Sequence, residues 1–544
     1  MMATNLFFSF LGSLVTCMAL IPPLMASAGR LHILDIPGGR RIHSGSVAKV
    51  GGIALAVGTL LGVLMWGPKN DIAIASLLGG MTILLFGVWD DRVGLTYRAK
   101  FAGQALAAFI VVTFGGVQIG NLPLIPYESF SLWIALPLTF VTLIAVTNAV
   151  NLSDGLDGLA GGLSLISFAG MAYLAFQTDD ALLMLMIVSV LGGLLGFLRF
   201  NTHPAKIFMG DAGSQFLGFY LGVTGLVLTN PANGPYSVML ALFIWGLPLL
   251  DMIGVVIQRL REGRSPFIGD RNHLHHKLLS IGFSHRKAVV LIYIGQAAMV
   301  AVGYGLRWQP DWLLAAIYLA VASAVVYLFL RPDAGARRAE EVRSAEVHGG
   351  IVGWLGAHPR LAQMPVRLLA ISVTGFLMVC VLLPRTVSQD VGLVAAGLLI
   401  VVIAGRILLP RMMPLWVRMG LYVGSTFLLY FTEVMKDAST QVWIRPVNLF
   451  FILVAGLVVT IMRLNAAKQF DITPLDSLML LLAVLLPFLP DLHVGEVSLS
   501  LLTAKLIVLF FAFELLLHTY ADRLTQAGVV ALWLLGGLTL RAWL

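Results

Sequence analysis

Residues Asn148–Gly162 read NAVNLSDGLDGLAGG, a polar island between long apolar runs. It carries Asn148, Asn151, Asp154 and Asp157 with no basic residue among them. An aspartate at the centre of a membrane helix costs about 2.5–3.5 kcal/mol. Four polar side chains this close to apolar segments therefore need a partner or a function. On a helix, Asp154 and Asp157 would share one face. Gly155, Gly158, Gly161 and Gly162 leave room for another backbone, or a ligand phosphate, to come close. Alone, the stretch also reads as a polar connection between two spans, so its neighbours decide.

Those neighbours are membrane helices by length and composition. A mean hydropathy of +0.92, 59% hydrophobic residues and 11% charged residues exclude an ordinary soluble domain. Runs of about 17–25 apolar residues span a bilayer as helices. They fall near residues 5–28, 50–66, 72–88, 101–115, 129–147, 159–176, 181–198, 214–229, 236–258, 288–305 and 312–330. The first run is too long for the apolar stretch of a signal peptide and lacks a basic start, so it reads as a retained span. The expected fold is all-α: a polytopic integral membrane protein with about eleven spans in residues 1–330. A polar linker follows at 331–366, and then about seven further runs in 367–544, near 367–384, 391–409, 414–432, 446–462, 476–490, 499–519 and 525–542. The C-terminal region carries no motif; Glu514, inside a run, is its one pointer to function, with helix packing as the alternative. Cys17 and Cys380 lie in apolar runs, which argues against a disulfide framework or a thiolate metal site.

The net charge of +8 resides in loops and sets topology, so nucleic acid is not an expected partner. Between residues 29 and 330 one set of alternate loops holds sixteen Lys and Arg, Arg30, Arg92, Arg199 and Arg259 among them, and the other holds only Lys69 and Arg307. By the positive-inside rule the N-terminus is outside and the basic loops face the cytoplasm. Every polar motif then falls on that face. Mere connectors would have no reason to collect there.

Four further stretches carry chemistry. DIPGGRRIHSGSVAKVGG (35–52) places Arg40, Arg41, His43 and Lys49 beside Gly51–Gly52, which suits an anionic ligand; plain topology is the alternative, above all for Arg30 and Arg41. GVWDDRVGLTYRAK (87–100) sets Asp90 and Asp91 side by side at the end of a span, with Lys100 opening the next. Adjacent carboxylates there call for a cation, and Mg²⁺ prefers such oxygen ligands together with substrate phosphates. FMGDAGS (208–214) puts Asp211 where a helix N-terminus offers N–H donors, although a simple capping Asp has the same appearance. DRNHLHHKLLSIGFSHR (270–286) holds His273, His275 and His276 beside Arg271. With no Cys and no H-E-x-x-H pattern, these imidazoles fit phosphate oxygens better than zinc.

In this order the five stretches resemble the polyprenyl-phosphate N-acetylhexosamine-1-phosphate transferases (the MraY/WecA-like glycosyltransferase 4 family) over roughly residues 1–330. HLHH, Ser265-Pro266-Phe267 and Gly282-Phe283-Ser284 resemble the WecA branch. Ala48 stands where the family has a Pro before the basic residue, and neither branch normally carries seven extra spans. The resemblance implies transfer of a HexNAc-1-phosphate, GlcNAc-1-phosphate first, from a UDP-sugar to undecaprenyl phosphate with release of UMP and use of Mg²⁺. It implies a cell inner membrane location, cytoplasmic chemistry that starts a cell-envelope polysaccharide, and a homodimer. The implied catalytic residues are Asp90, Asp91, Asp211 and His273. Asp211 matches the family's metal-binding aspartate, with Asp91 as its companion, and Asp90 engages the lipid phosphate. Phe208 stacks on uracil and Asp157 hydrogen-bonds it, while Asn151 and Asp154 line the nucleotide site. Lys49, Lys100, Arg271, His275 and His276 approach phosphates. The rival reading is a transporter or flippase, whose polar residues would cluster near the membrane midplane on broken helices.

Overall fold

A computed structural model of the chain describes residues 2–35, 47–120, 131–230, 234–265, 272–330, 359–382, 389–408, 412–434, 441–465, 493–494, 497–520 and 524–543. Arg40, Arg41, His43, Asp270, Arg271 and the expected run at 476–490 lie outside them. The chain divides into two compact units, Met1–Ser344 and Ala345–Leu544.

All eleven expected spans of the first unit are helices: α1 (Met2–Leu31), α2 (Gly51–Trp66), α3 (Asp71–Val93), α4 (Tyr97–Thr113), α5 (Leu132–Leu152), α6 (Leu159–Gln177), α7 (Ala181–Asn201), α8 (Gly210–Leu228), α9 (Val238–Arg261), α11 (His285–Leu306) and α12 (Asp311–Leu330). Between α9 and α11, beyond the eleven expected spans, a short additional helix, α10 (Leu274–Ser280), follows His273. Side-chain caps begin several of them: Asn70 accepts from Ala73 N at 2.9 Å, Asp180 from Leu183 N at 2.9 Å, and Thr96 from Ala99 N at 3.4 Å. Among the described residues ten helices are long and apolar enough to cross a membrane, so this is a multi-pass membrane protein.

The helix that organises the first unit is not among those ten. Every residue of α8 from Ala212 to Leu228 is buried, with α2, α3, α5, α6, α7 and α9 packed around it. Enclosed by protein, α8 needs no lipid-facing surface, which explains how it accommodates five glycines and Asp211. Its first turn passes backbone to backbone against α2. A Cβ on Gly52 would lie 2.2 Å from Gly213 N, and one on Gly213 would lie 2.5 Å from Gly52 Cα. One turn deeper, Gln104 of α4 donates to Gln215 Oε1 of α8 at 3.0 Å and receives Asn148 Nδ2 of α5 at 2.7 Å. Asn148 therefore ties helices together beneath the site.

A two-residue pairing, β1 (Leu34–Asp35) with β2 (Val47–Ala48), carries the chain into α2. Among the described residues of the second unit the helices are α13 (Pro359–Leu382), α14 (Gln389–Leu408), α15 (Met413–Val434), α16 (Gln441–Asn465), α17 (Leu499–Thr519) and α18 (Leu524–Arg541). The stretch read as linker through residue 366 is already helical from Pro359. Glu514 of α17 receives Arg418 Nε of α15 at 2.8 Å and the Tyr422 hydroxyl. Its charge is thus neutralised between helices, a packing role.

Gly213→Ala should lower stability by about 1–3 kcal/mol, the cost of forcing a methyl into a filled contact. Gly305→Ala, where an added Cβ meets nothing within 4 Å, should be neutral or stabilising by up to about 1 kcal/mol. Thermal unfolding of both variants in one detergent checks the contrast.

Candidate active site

The site is built on the N-terminus of α8, whose first backbone N–H groups have no partner within the helix. Asp91, in the last turn of α3, supplies one: its Oδ1 accepts from Asp211 N at 2.9 Å and its Oδ2 from Ala212 N at 3.0 Å. The positive end of the helix dipole favours a carboxylate at that place. Gly210, at φ +71°, makes the turn possible, and a Cβ there would strike the Asp91 carboxylate. Asp211 then projects from the first turn. Asn151 Nδ2 donates to its Oδ1 at 2.7 Å and to Ser214 Oγ at 2.8 Å.

Asp90 does different work from its neighbour. It is buried, its Oδ1 accepts from Leu95 N at 2.7 Å, and its Oδ2 lies 2.5 Å from Lys100 Nζ. The same Nζ is 3.4 Å from Asp211 Oδ2, so Lys100 bridges the two carboxylates. The two adjacent carboxylates thus take different partners: Asp91 caps the central helix, while Asp90 closes the α3–α4 turn and holds a lysine.

The polar island completes this half. Burial, reinforced by the charges of Asp211, Asp91 and Asp157 and opposed by Lys49, pushes the Asp154 carboxyl up to about 7. Lys49 is held by its own N–H on Ile33 O and by Asp35 at 3.6 Å. The segment that carries it runs beside residues 207–209, where Phe208 N donates to Ala48 O and Gly51 N to Phe208 O. Asp154 lies in the field of Asp211 and Asp91, with Lys49 opposing, so carboxylate oxygens with more negative than positive charge gather here. That chemistry fits a hard divalent cation.

The histidine half meets the carboxylate half at the 153–158 loop. Asp157 Oδ2 contacts His203 Nδ1 at 2.7 Å and accepts from Ala205 N at 3.1 Å. The His203 and His285 rings stack at 4.2 Å and 23°. Although Asp157, His203 and His285 lie close enough to suggest a metal group, stacked rings do not aim their in-plane lone pairs at one point. The stack reads as a support for Asp157. His275 is buried against Gly155, and its Nε2 has no hydrogen-bond partner among the described residues. His276 packs on its ring at 4.2 Å, and His273 pairs with Asp251 at 2.9 Å.

Asn201, His203 and Asp251 are not among the residues singled out from the sequence. Asn201 accepts from Gly158 N at 3.0 Å and donates to Ile207 O at 2.9 Å, joining two loops of the site; a single Asn at a span end carried no signal. Asp251 did carry one, being an aspartate within an apolar run.

Helix ends converging on carboxylates, a bridging lysine and oxygen donors define a membrane-embedded site for phosphate chemistry. Comparison with known proteins narrows the class. The sequence profile described as glycosyl transferase family 4 matches residues 73–229. The chain is 34% identical over 289 residues to the probable undecaprenyl-phosphate N-acetylglucosaminyl 1-phosphate transferase of Bacillus subtilis (strain 168), covering 53% of this chain and 80% of that one. It is 33% identical over 331 residues to the undecaprenyl-phosphate alpha-N-acetylglucosaminyl 1-phosphate transferase of Yersinia pestis, covering 58% and 88%. A third relative, the decaprenyl-phosphate N-acetylglucosaminephosphotransferase of Mycobacterium leprae (strain TN), is 34% identical over 348 residues, covering 56% and 86%. The chain belongs to this family of polyprenyl-phosphate N-acetylglucosamine-1-phosphate transferases.

Burial, with the neighbouring imidazoles of His276, His273 and His285, holds the His275 ring neutral down to about pH 3. The unfolded chain binds that proton near pH 6.5. Stability should therefore fall as pH drops below 6.5, by up to about 1.4 kcal/mol per unit from this group. His275→Asn should flatten that slope in thermal unfolding between pH 4 and 7.

Proposed function

We propose that this chain transfers a HexNAc-1-phosphate, GlcNAc-1-phosphate first among donors, from a UDP-sugar to undecaprenyl phosphate. An oxygen of the lipid phosphate attacks the β-phosphorus of the sugar nucleotide. The bond from that phosphorus to the bridging oxygen breaks, and UMP leaves with that oxygen. The observation that carries this reading is the Asp90–Lys100–Asp211 bridge with Asn151, drawn from the ends of four helices. The family relationship supports it, and so does the gathering of these residues at helix ends rather than at mid-helix.

Phosphoryl transfer is mostly positioning and charge stabilisation. Asp211, with Asp154 beside it, would hold Mg²⁺, which when bound offsets the diphosphate charge. In our reading Asp91 positions Asp211 by capping α8. The Asp90–Lys100 pair meets the lipid phosphate, and Lys49 and His273 meet the remaining phosphate oxygens. Asp157, Asn151 and Phe208 hold the nucleoside. His275 braces the loop from beneath, which replaces the phosphate contact expected of it. The positive-inside asymmetry supports a cytoplasmic site in the inner membrane, where the product would start a cell-envelope polysaccharide. Residues 1–330 form the transferase region, and 367–544 a membrane region that the transfer chemistry does not use.

Membranes containing the chain should release UMP from UDP-GlcNAc only with undecaprenyl phosphate and Mg²⁺ present. Asp211→Asn should lower turnover by at least about 100-fold, the scale for losing a group that stabilises transition-state charge. It should also abolish any thermal stabilisation by Mg²⁺. Full turnover by Asp211→Asn would remove the metal assignment, and no UMP release with any UDP-HexNAc would remove the reading.

A further inference from the structure

A second buried carboxylate of the first unit stands apart from the bridge at Asp211. Asp251 lies in the latter part of α9, 6% exposed. A charge within a span is costly, and here two hydrogen bonds offset it. Asp251 Oδ1 accepts from Leu274 N at 2.8 Å, and Oδ2 lies 2.9 Å from Nδ1 of His273, itself 5% exposed. A carboxylate offers only acceptors. Nδ1 must therefore be the donor, and Nε2 is the ring nitrogen left for a substrate.

The fold also sets the direction of the segment that carries Asp251. α9 breaks at Gly246 (φ 39°, ψ −123°), two residues before Pro248. Proline has no N–H to give the Ile244 carbonyl. Ser167 Oγ and Gln296 Nε2 donate to that carbonyl instead, at 2.8 and 2.9 Å, and Leu247 N donates to Gln296 Oε1 at 2.8 Å. A Cβ on Gly246 would lie 2.4 Å from that oxygen. The bend is satisfied bond by bond, and the half-helix beyond it delivers Asp251 to His273.

We propose that Asp251 is a positioning residue for His273: it accepts from Nδ1–H and leaves Nε2 directed at the diphosphate of the sugar nucleotide, to which it donates as Nε2–H once the ring carries a second proton. What Nε2 meets rests on the transfer reading; the tautomer rests on the geometry. The test has two arms. Nitrogen-15 spectra of histidine-labelled full-length protein, with the His273 signal assigned by its loss in His273→Gln, should show Nδ1–H in the wild type. Asp251→Asn, which keeps an oxygen for Leu274 N, should move that ring toward the Nε2–H form. In the UMP-release assay Asp251→Asn should lower kcat on the order of 10- to 100-fold, the scale for losing a group that orients a functional imidazole. KM for UDP-GlcNAc should change by less than about threefold, because the contact gains strength only as charge develops on the departing phosphate. The Asp251→Asn/His273→Gln double variant should be no slower than His273→Gln alone.

A wild-type ring in the Nε2–H form, an unchanged tautomer in Asp251→Asn, or losses that multiply in the double variant would each overturn the proposal. The wild-type spectrum needs no variant to fold. If no UMP is released at all, the transfer reading fails while the tautomer result still decides the role of Asp251.

Discussion

Two backbone N–H groups at the head of α8 meet the carboxylate of Asp91, and the rest of the site follows from that contact. A helix enclosed by other helices cannot turn to water for its unpaired donors, so a partner must come from the protein. Asp91 supplies it from the last turn of α3, which fixes α3 against α8 at one height. Asp90, the next residue, is thereby brought beside Lys100, and Lys100 beside Asp211. Gly52 and Gly213 let α2 approach closely enough to bring the Lys49 segment to the same place. One capping interaction thus aligns three elements and sets two carboxylates around one lysine.

The 153–158 loop is the seam between the two halves of the site. On one side Asp154 shares the field of Asp211 and Asp91. On the other, Asp157 contacts His203, and Gly155 lies over His275. The loop is short of side-chain bulk, and its shape is imposed from outside. Tyr293 donates to Gly158 O at 2.6 Å, and Asn201 accepts from Gly158 N. Substrate-facing groups on a loop become precise only when buried neighbours hold the backbone, which is what Tyr293, Asn201 and His275 do.

The second unit shows how a membrane bundle treats a charge set between its helices. Glu514 meets Arg418 in two contacts, Nε–Oε1 at 2.8 Å and Nη2–Oε2 at 3.4 Å. Removing one partner would leave the other uncompensated. The pair joins α15 to α17 and fixes their register.

Much of this protein could be read along the chain. Apolar run length gives the helices of the first unit, because a bilayer imposes one length on every span. The motif residues stand out because polar groups beside apolar runs demand an explanation, and five of them in order resemble one family. What the chain order could not reveal was which carboxylate does which task. Asp90 and Asp91 are adjacent and chemically identical, yet helical geometry points one at Lys100 and the other at α8. The partners of His273, His203 and Gly158 lie 22, 46 and 43 residues away in sequence, so nothing local announces them. Sequence by itself determined the membrane class, the helices of the first unit and most of the candidate groups, since those follow from composition and spacing. Tertiary structure alone decided their pairing, because a hydrogen bond of about 3 Å depends on how whole helices pack.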